Sequence, residues 1–231
     1  MLKIGQLNQF YGQSHTLWNL DLDVPAGECT VLMGRNGVGK TTLLKCIMGL
    51  LPVKSGDLRY GDIDLTRVTA EQRAPLGIGY VPQGRQIFPL LSVEENLLIG
   101  LPARRDRLRK VPEFIYEMFP VLREMLGRRG GDLSGGQQQQ LAIGRALVTD
   151  PRLLILDEPT EGIQPNIVAD IGSIVRKLNR EMGLTVLLVE QKLPFARKVA
   201  DRFCLLDRGR SVATGAMDQL NDALIQQYLT V

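Results

Sequence analysis

The nine residues Gly34-Arg35-Asn36-Gly37-Val38-Gly39-Lys40-Thr41-Thr42 constrain this chain more than any other stretch. An apolar run over 29–33 feeds directly into them, and a helix-forming run over 41–50 leaves them. The pattern therefore sits in the strand–loop–helix setting that gives a glycine-rich motif its meaning. The glycines let successive backbone N–H groups face inward, and the following helix adds the positive end of its dipole, so the loop suits a polyphosphate. Lys40 is placed to reach the outer phosphates as a point charge, and the Thr41 hydroxyl to ligate a magnesium ion that bridges them. A nucleotide site is the expectation.

At 231 residues and 44% apolar content, the chain can bury one substantial core or two unequal lobes, and it reads as one compact unit. A net charge of +3 is too small to argue for a nucleic-acid partner, and the basic run over 104–110 reads as a solvated loop. Cys29, Cys46 and Cys204 lie inside apolar runs without metal-ligand spacing, which predicts small buried hydrophobes in a reducing compartment. No signal-like N-terminus is present, and no apolar run approaches the roughly 18 residues that cross a bilayer, so a soluble cytosolic chain is expected.

Strand-like runs over 2–7, 20–24, 28–33 and 56–60 predict a β-rich lobe around the phosphate loop. From about 92 to 149 the spacing turns helical, with Val93, Asn96 and Leu97, then Phe114, Met118, Leu122 and Met125, recurring on one face. Strand–helix alternation then returns: strands over 153–156, 185–189 and 203–206, helices over 166–181 and 194–200. Continuous apolar strands separated by amphipathic helices imply a largely parallel sheet covered on both faces. In the segment 217–229, Leu220, Leu224 and Leu229 read as core packing.

The strand over 153–156 ends in Asp157-Glu158, where an open parallel sheet places its ligand chemistry. Asp157 suits a magnesium shell, and Glu158 can polarise a water for in-line attack on phosphorus. Leu133-Ser134-Gly135-Gly136-Gln137 opens a helix in which Ser134 and Gln137 fit a capping box. Gly135 and Gly136 strip side chains from its first turn, so its free N–H groups can meet an anion. Because the chain's own phosphate loop already cradles phosphate, this second turn makes sense facing the nucleotide of another subunit in a head-to-tail dimer.

These motifs resemble the ABC-transporter ATPase family over essentially the whole chain. Residues 34–42 resemble its Walker A motif, 133–137 its signature and 153–158 its Walker B, in matching order. The resemblance implies an α/β P-loop NTPase fold with a mostly parallel core sheet, an antiparallel β subdomain and an inserted α-helical subdomain. It divides the chain into 1–83 and 151–231 as the RecA-like core with the β subdomain, and 84–150 as the helical subdomain. ATP and Mg2+ are the implied ligands. Gln83, within Tyr80-Val81-Pro82-Gln83, resembles the glutamine that ligates magnesium and relays nucleotide state, and Tyr11 stands where the family stacks an aromatic on adenine.

The phrases Tyr80-Val81-Pro82-Gln83-Gly84-Arg85, Glu158-Pro159-Thr160-Glu161-Gly162-Ile163-Gln164-Pro165 and Leu188-Val189-Glu190-Gln191 are similar to the branched-chain amino acid and amide uptake group. Within it, 128–140 and Phe114-Ile115-Tyr116 resemble the urea transporter's ATP-binding subunit. The expected function is thus the motor of a urea or short-chain amide importer, with a branched-chain amino acid importer, or a soluble ATPase that remodels nucleic acid or ribosomes, as alternatives. Implied partners are a second nucleotide-binding subunit, two membrane permeases and, indirectly, an extracytoplasmic substrate-binding protein, with the chain peripheral to the cytoplasmic face of the inner membrane.

Two positions depart from the family pattern. Gln191 follows Glu190 where most relatives carry a switch histidine; it can hydrogen-bond a γ-phosphate oxygen without titrating, so no histidine-like inflection near ~6.5 is expected in the hydrolysis rate. Gln164 stands in place of the aspartate that crosses the dimer seam, which affects how two sites would be linked.

Overall fold

The computed structural model describes residues 1–230. An antiparallel hairpin, β1 (Leu2–Tyr11) and β2 (Ser14–Val24), opens the chain and is followed by β3 (Cys29–Met33), α1 (Lys40–Ile47), β4 (Ser55–Tyr60), β5 (Ile63–Asp64), α2 (Ala70–Arg73) and β6 (Ile78–Val81). Four helices come next: α3 (Val93–Leu98), α4 (Glu113–Met118), α5 (Pro120–Glu124) and α6 (Gly135–Val148). The rest is β7 (Leu153–Asp157), α7 (Pro165–Arg180), β8 (Thr185–Val189), α8 (Leu193–Val199), β9 (Arg202–Asp207), β10 (Arg210–Ala216) and α9 (Asp222–Tyr228).

Two sheets result. The smaller is antiparallel in the order β2-β1-β4-β5; the larger has the order β10-β9-β3-β8-β7-β6 and is parallel except for its β10 edge. In β3, β7 and β8 every residue is buried, which explains their uninterrupted apolar sequence: both faces are covered, so no polar alternation survives. One face of β7 (Leu154, Leu156) joins α6 and α7 in one core, while Leu153 and Ile155 face a second core with α1 and the antiparallel sheet. This is the α/β ATPase cassette fold expected from the sequence.

Several bounds differ from the sequence reading. The hairpin strands run longer than the segments 2–7 and 20–24, because the exposed positions of β2 alternate with buried Leu17, Leu20, Leu22 and Val24 on a half-solvated sheet. The helix expected over 41–50 ends at Ile47, since Gly49 turns left-handed (φ 73°) just beyond it. Strands β5, β6 and β10 were not anticipated: two are only two and four residues long, and β10 is a polar edge strand. Residues 92–149 hold no strand, only an isolated bridge between Ser92 and Arg129, and α3 begins with a capping box from Ser92 and Glu95. Buried Asn96 takes its amide to the carbonyls of Phe88, Leu91 and Ser92, tying the start of this helical region together.

Cys29, Cys46 and Cys204 are all free and buried, as expected. The basic run lies in a loop in which Arg104 pairs with Asp106 and Arg105 with Asp150. Leu220 is buried, and Leu224 and Leu229 pack against the same core, so the C-terminal helix serves packing. Among the described residues no helix is long and apolar enough to cross a membrane.

Candidate functional site

The phosphate loop leaves the carboxyl end of β3 and is held from behind by the turn between β9 and β10. The Gly209 N–H donates to the Val38 carbonyl (2.9 Å), and the Gly209 carbonyl accepts from the Trp18 N–H (2.8 Å), so one glycine joins the loop to the antiparallel sheet. A Cβ on Gly209 would lie 2.0 Å from the Thr16 carbonyl oxygen, and one on Gly34 2.3 Å from that of Leu206; with φ of 75° and 153°, neither position accepts a side chain. Glycine is thus required at Gly34 by close packing as well as by loop shape.

A cleft of about 240 Å³ opens over the loop, lined by Asn36, Gly37, Gly39, Lys40, Thr41, Thr42, Gln83 and Glu158. Residues expected to act together therefore do converge, from three separate segments. Lys40 is buried at the first turn of α1, where its ammonium donates to the carbonyls of Gly34 (2.7 Å) and Arg35 (2.9 Å) and stands 3.9 Å from Glu158 Oε1. Burial pulls this ammonium below the ordinary lysine range, and the carboxylates of Glu158, Asp157 and Glu190 partly oppose that.

Glu158 follows β7 in the left-handed region (φ 48°), an uncommon conformation for a side-chain-bearing residue, pinned by its N–H donating to the Val189 carbonyl (2.9 Å). Its carboxylate is gripped on both sides. The Gln191 amide donates to Oε1 at 2.5 Å and to Asn36 Oδ1 at 2.8 Å, while the Gln83 amide donates to Oε2 at 3.4 Å and to Glu161 Oε2 at 2.9 Å. The amide of Gln191 is thus placed between the phosphate loop and the carboxylate.

Asp157 is 2% exposed, and both carboxylate oxygens are buried with no hydrogen-bond partner among the described residues. Burial pushes its carboxyl up to about 6, the neighbouring Glu158 carboxylate adds to the shift and Lys40 opposes it; the Gln83 N–H, outside hydrogen-bonding geometry, offsets it only slightly. An unpaired buried carboxylate is costly unless a cation joins it, so the donor set of Asp157, Thr41 and Gln83 fits a hard divalent ion such as magnesium. Among the described residues no cluster of three or more His, Cys, Asp or Glu forms a metal cage.

Other expected residues lie apart from the cleft lining. Tyr11 ends β1 with 46% of its surface exposed. Ser134 and Gln137 form the anticipated capping box at the start of α6 (Ser134 N–H to Gln137 Oε1, 2.9 Å; Gln137 N–H to Ser134 Oγ, 3.4 Å). Beside that turn, a Cβ on Gly136 would lie 2.9 Å from the Ile167 side chain of α7, whereas one on Gly135 would lie 3.2 Å from the flexible Arg85 guanidinium. The Arg35 side chain turns away from the loop to donate to the Thr230 carbonyl. Sequence reasoning missed Glu161, whose carboxylate accepts from the Gln83 amide, and Thr160, Glu190 and Lys192, which share hydrogen bonds among themselves. No spacing rule pairs residues 30 positions apart.

Comparison with known proteins agrees with this geometry. The family model described as ABC transporter matches residues 17–161. The high-affinity branched-chain amino acid transport ATP-binding protein BraG of Pseudomonas aeruginosa is 40% identical over 232 residues, covering 99% of each chain. The probable branched-chain amino acid transport ATP-binding protein LivF of Archaeoglobus fulgidus is 37% identical over 221 residues, covering 95% of this chain and 94% of its own. Among solved structures, the dimeric post-hydrolysis state of the ATP-binding cassette MJ0796 bound to ADP and Pi superposes with a TM-score of 0.83 at 27% identity, covering 94% of this chain and 99% of that one. The chain belongs to the ABC transporter family, as an ATP-binding subunit whose cassette is an importer ATPase.

Proposed function

We propose that this subunit drives import of branched-chain amino acids. The observation that carries the substrate class is the 40% identity to BraG across 99% of both chains, with LivF alongside. The urea reading, carried by the short phrases over 114–116 and 128–140, draws no support from these relatives; the alternative stated with it, branched-chain amino acids, is the better supported. Uptake of labelled leucine and labelled urea in cells lacking the chain tests this: leucine uptake falls and urea uptake persists, whereas loss of urea uptake alone would overturn the assignment.

In the proposed mechanism the phosphate loop (34–42) wraps the ATP phosphates and Lys40 contacts the outer ones. Tyr11 stacks on adenine. Thr41, Gln83 and Asp157 would hold magnesium, which would supply charge neutralisation to the phosphates. Glu158 accepts the proton of the attacking water, and its position within reach of Lys40 and Gln191 supports that role. Gln191 orients the carboxylate and donates to a γ-phosphate oxygen. Ser134, Gly135, Gly136 and Gln137 serve the nucleotide of a second cassette in a head-to-tail pair.

The helical region 84–150 passes this motion to two permeases fed by an extracytoplasmic binding protein, with the chain on the cytoplasmic face of the inner membrane. Exposed Phe88 and Ile99, which line one cleft together, and Leu90, 79% exposed, support such docking.

A further inference from the structure

Beneath the cleft, the segment after β7 and the segment after β8 are fastened together by groups that the catalytic reading does not use. Glu190 is 3% exposed and Thr160 fully buried. Glu190 Oε2 accepts from the Thr160 hydroxyl at 2.6 Å, and Oε1 accepts from the backbone N–H groups of Gln191 (2.8 Å) and Lys192 (2.9 Å). The Lys192 ammonium completes a ring by donating to the Thr160 carbonyl at 2.8 Å. A buried carboxylate is tolerated only when its lone pairs are met, and here every donor comes from one of the two segments that carry Glu158 and Gln191.

The consequence is positional. Gln191 is exposed, and an exposed glutamine ordinarily samples many rotamers. Its backbone is fixed by Glu190 one residue before it, which aims the side chain so that one amide nitrogen reaches both Glu158 Oε1 and Asn36 Oδ1. Thr160 lies two residues after Glu158, so the clasp ties the Gln191 backbone to the segment that carries the carboxylate. We propose that Glu190, Thr160 and Lys192 form a positioning clasp for hydrolysis, with Glu190 as the residue that sets the Gln191 amide against Glu158. This rests on the reading of Glu158 as the base. Neither Glu190 nor Thr160 touches the cleft, so both act through their neighbours.

The test is a mutant cycle on steady-state ATP hydrolysis by the full chain, at matched assembly state, with thermal unfolding recorded for each variant. A positioning error of an ångström costs as much as about 100-fold in rate. Thr160→Val is therefore expected to lower kcat about 10- to 100-fold while KM for ATP stays within about two-fold, and Thr160→Ser, which keeps the hydroxyl, to restore most of kcat. Because the clasp acts through Gln191, Thr160→Val combined with Gln191→Ala should be no slower than the slower single variant within about two-fold. Glu190→Gln in place of Thr160→Val should give the same pattern; if that protein does not fold, the Thr160 cycle decides alone. Losses that multiply in the double variant, or a rise in KM at unchanged kcat, would overturn the clasp. Wild-type turnover in Glu158→Gln would instead overturn the assignment of the base, so the two failures are distinct.

Discussion

Among the described residues both oxygens of Asp157 are buried without a partner, so its charge is costly in the absence of a cation. In the unfolded chain the carboxyl titrates near ~3.9, whereas burial raises it to about 6 in the fold, so the native state holds the proton more tightly. Stability is therefore lost as pH rises from about 4 to about 6, and the penalty is complete above that window. Asp157→Asn is expected to unfold a few degrees higher than the parent at pH 7.5 without nucleotide and magnesium, an upper bound of about 3 kcal/mol, and to show no gain near pH 4. Scanning calorimetry at the two pH values checks this. The cleft lining holds no histidine, yet burial brings the Asp157 carboxyl up to about 6, which the sequence alone did not suggest. At Glu158 the effect is on rate: Glu158→Gln should lower kcat by roughly 10²–10⁴-fold with ATP still bound, measured by turnover beside nucleotide titration.

At the scale of elements, Gly209 links three of them, since its backbone groups reach Val38 of the phosphate loop and Trp18 of β2. A methyl group there would meet the Thr16 carbonyl at 2.0 Å in a left-handed conformation, and no flexible side chain can yield. Gly209→Ala is expected to destabilise the fold by about 2 kcal/mol or more and to raise KM for ATP, read by denaturant unfolding and steady-state kinetics. Which elements were legible follows from their surroundings. β7 and β8 could be read to within a residue because burial on both faces demands continuous apolar sequence. The edge strand β10 alternates small and polar residues, and β6 is a four-residue strand containing Gly79, so neither carries a pattern distinct from a loop. The start of α6 was legible because a capping box is local chemistry, spelled within four residues. The clasp was not, because Thr160 and Glu190 meet only when adjacent parallel strands bring their carboxyl ends together.

For the whole molecule, the nucleotide groups and the signature turn face different surroundings within one chain. The cleft is lined by residues 36–42, Gln83 and Glu158, and the residues at the Ser134 corner are not among them. In the proposed function the Ser134 start of α6 completes a neighbour's site, and the dimeric MJ0796 cassette has a similar fold, with a TM-score of 0.83. Tight closure around ATP requires that the closed state bind nucleotide more strongly than the open one, a difference that the proposed function assigns to phosphate contacts from both chains. Light scattering on Glu158→Gln in excess ATP and magnesium tests this most directly. A mass twice the 25.6 kDa of one chain, returning to a single chain when Ser134→Arg is added, is the predicted result. A single-chain mass at every ATP concentration, or a dimer indifferent to Ser134→Arg, would contradict it.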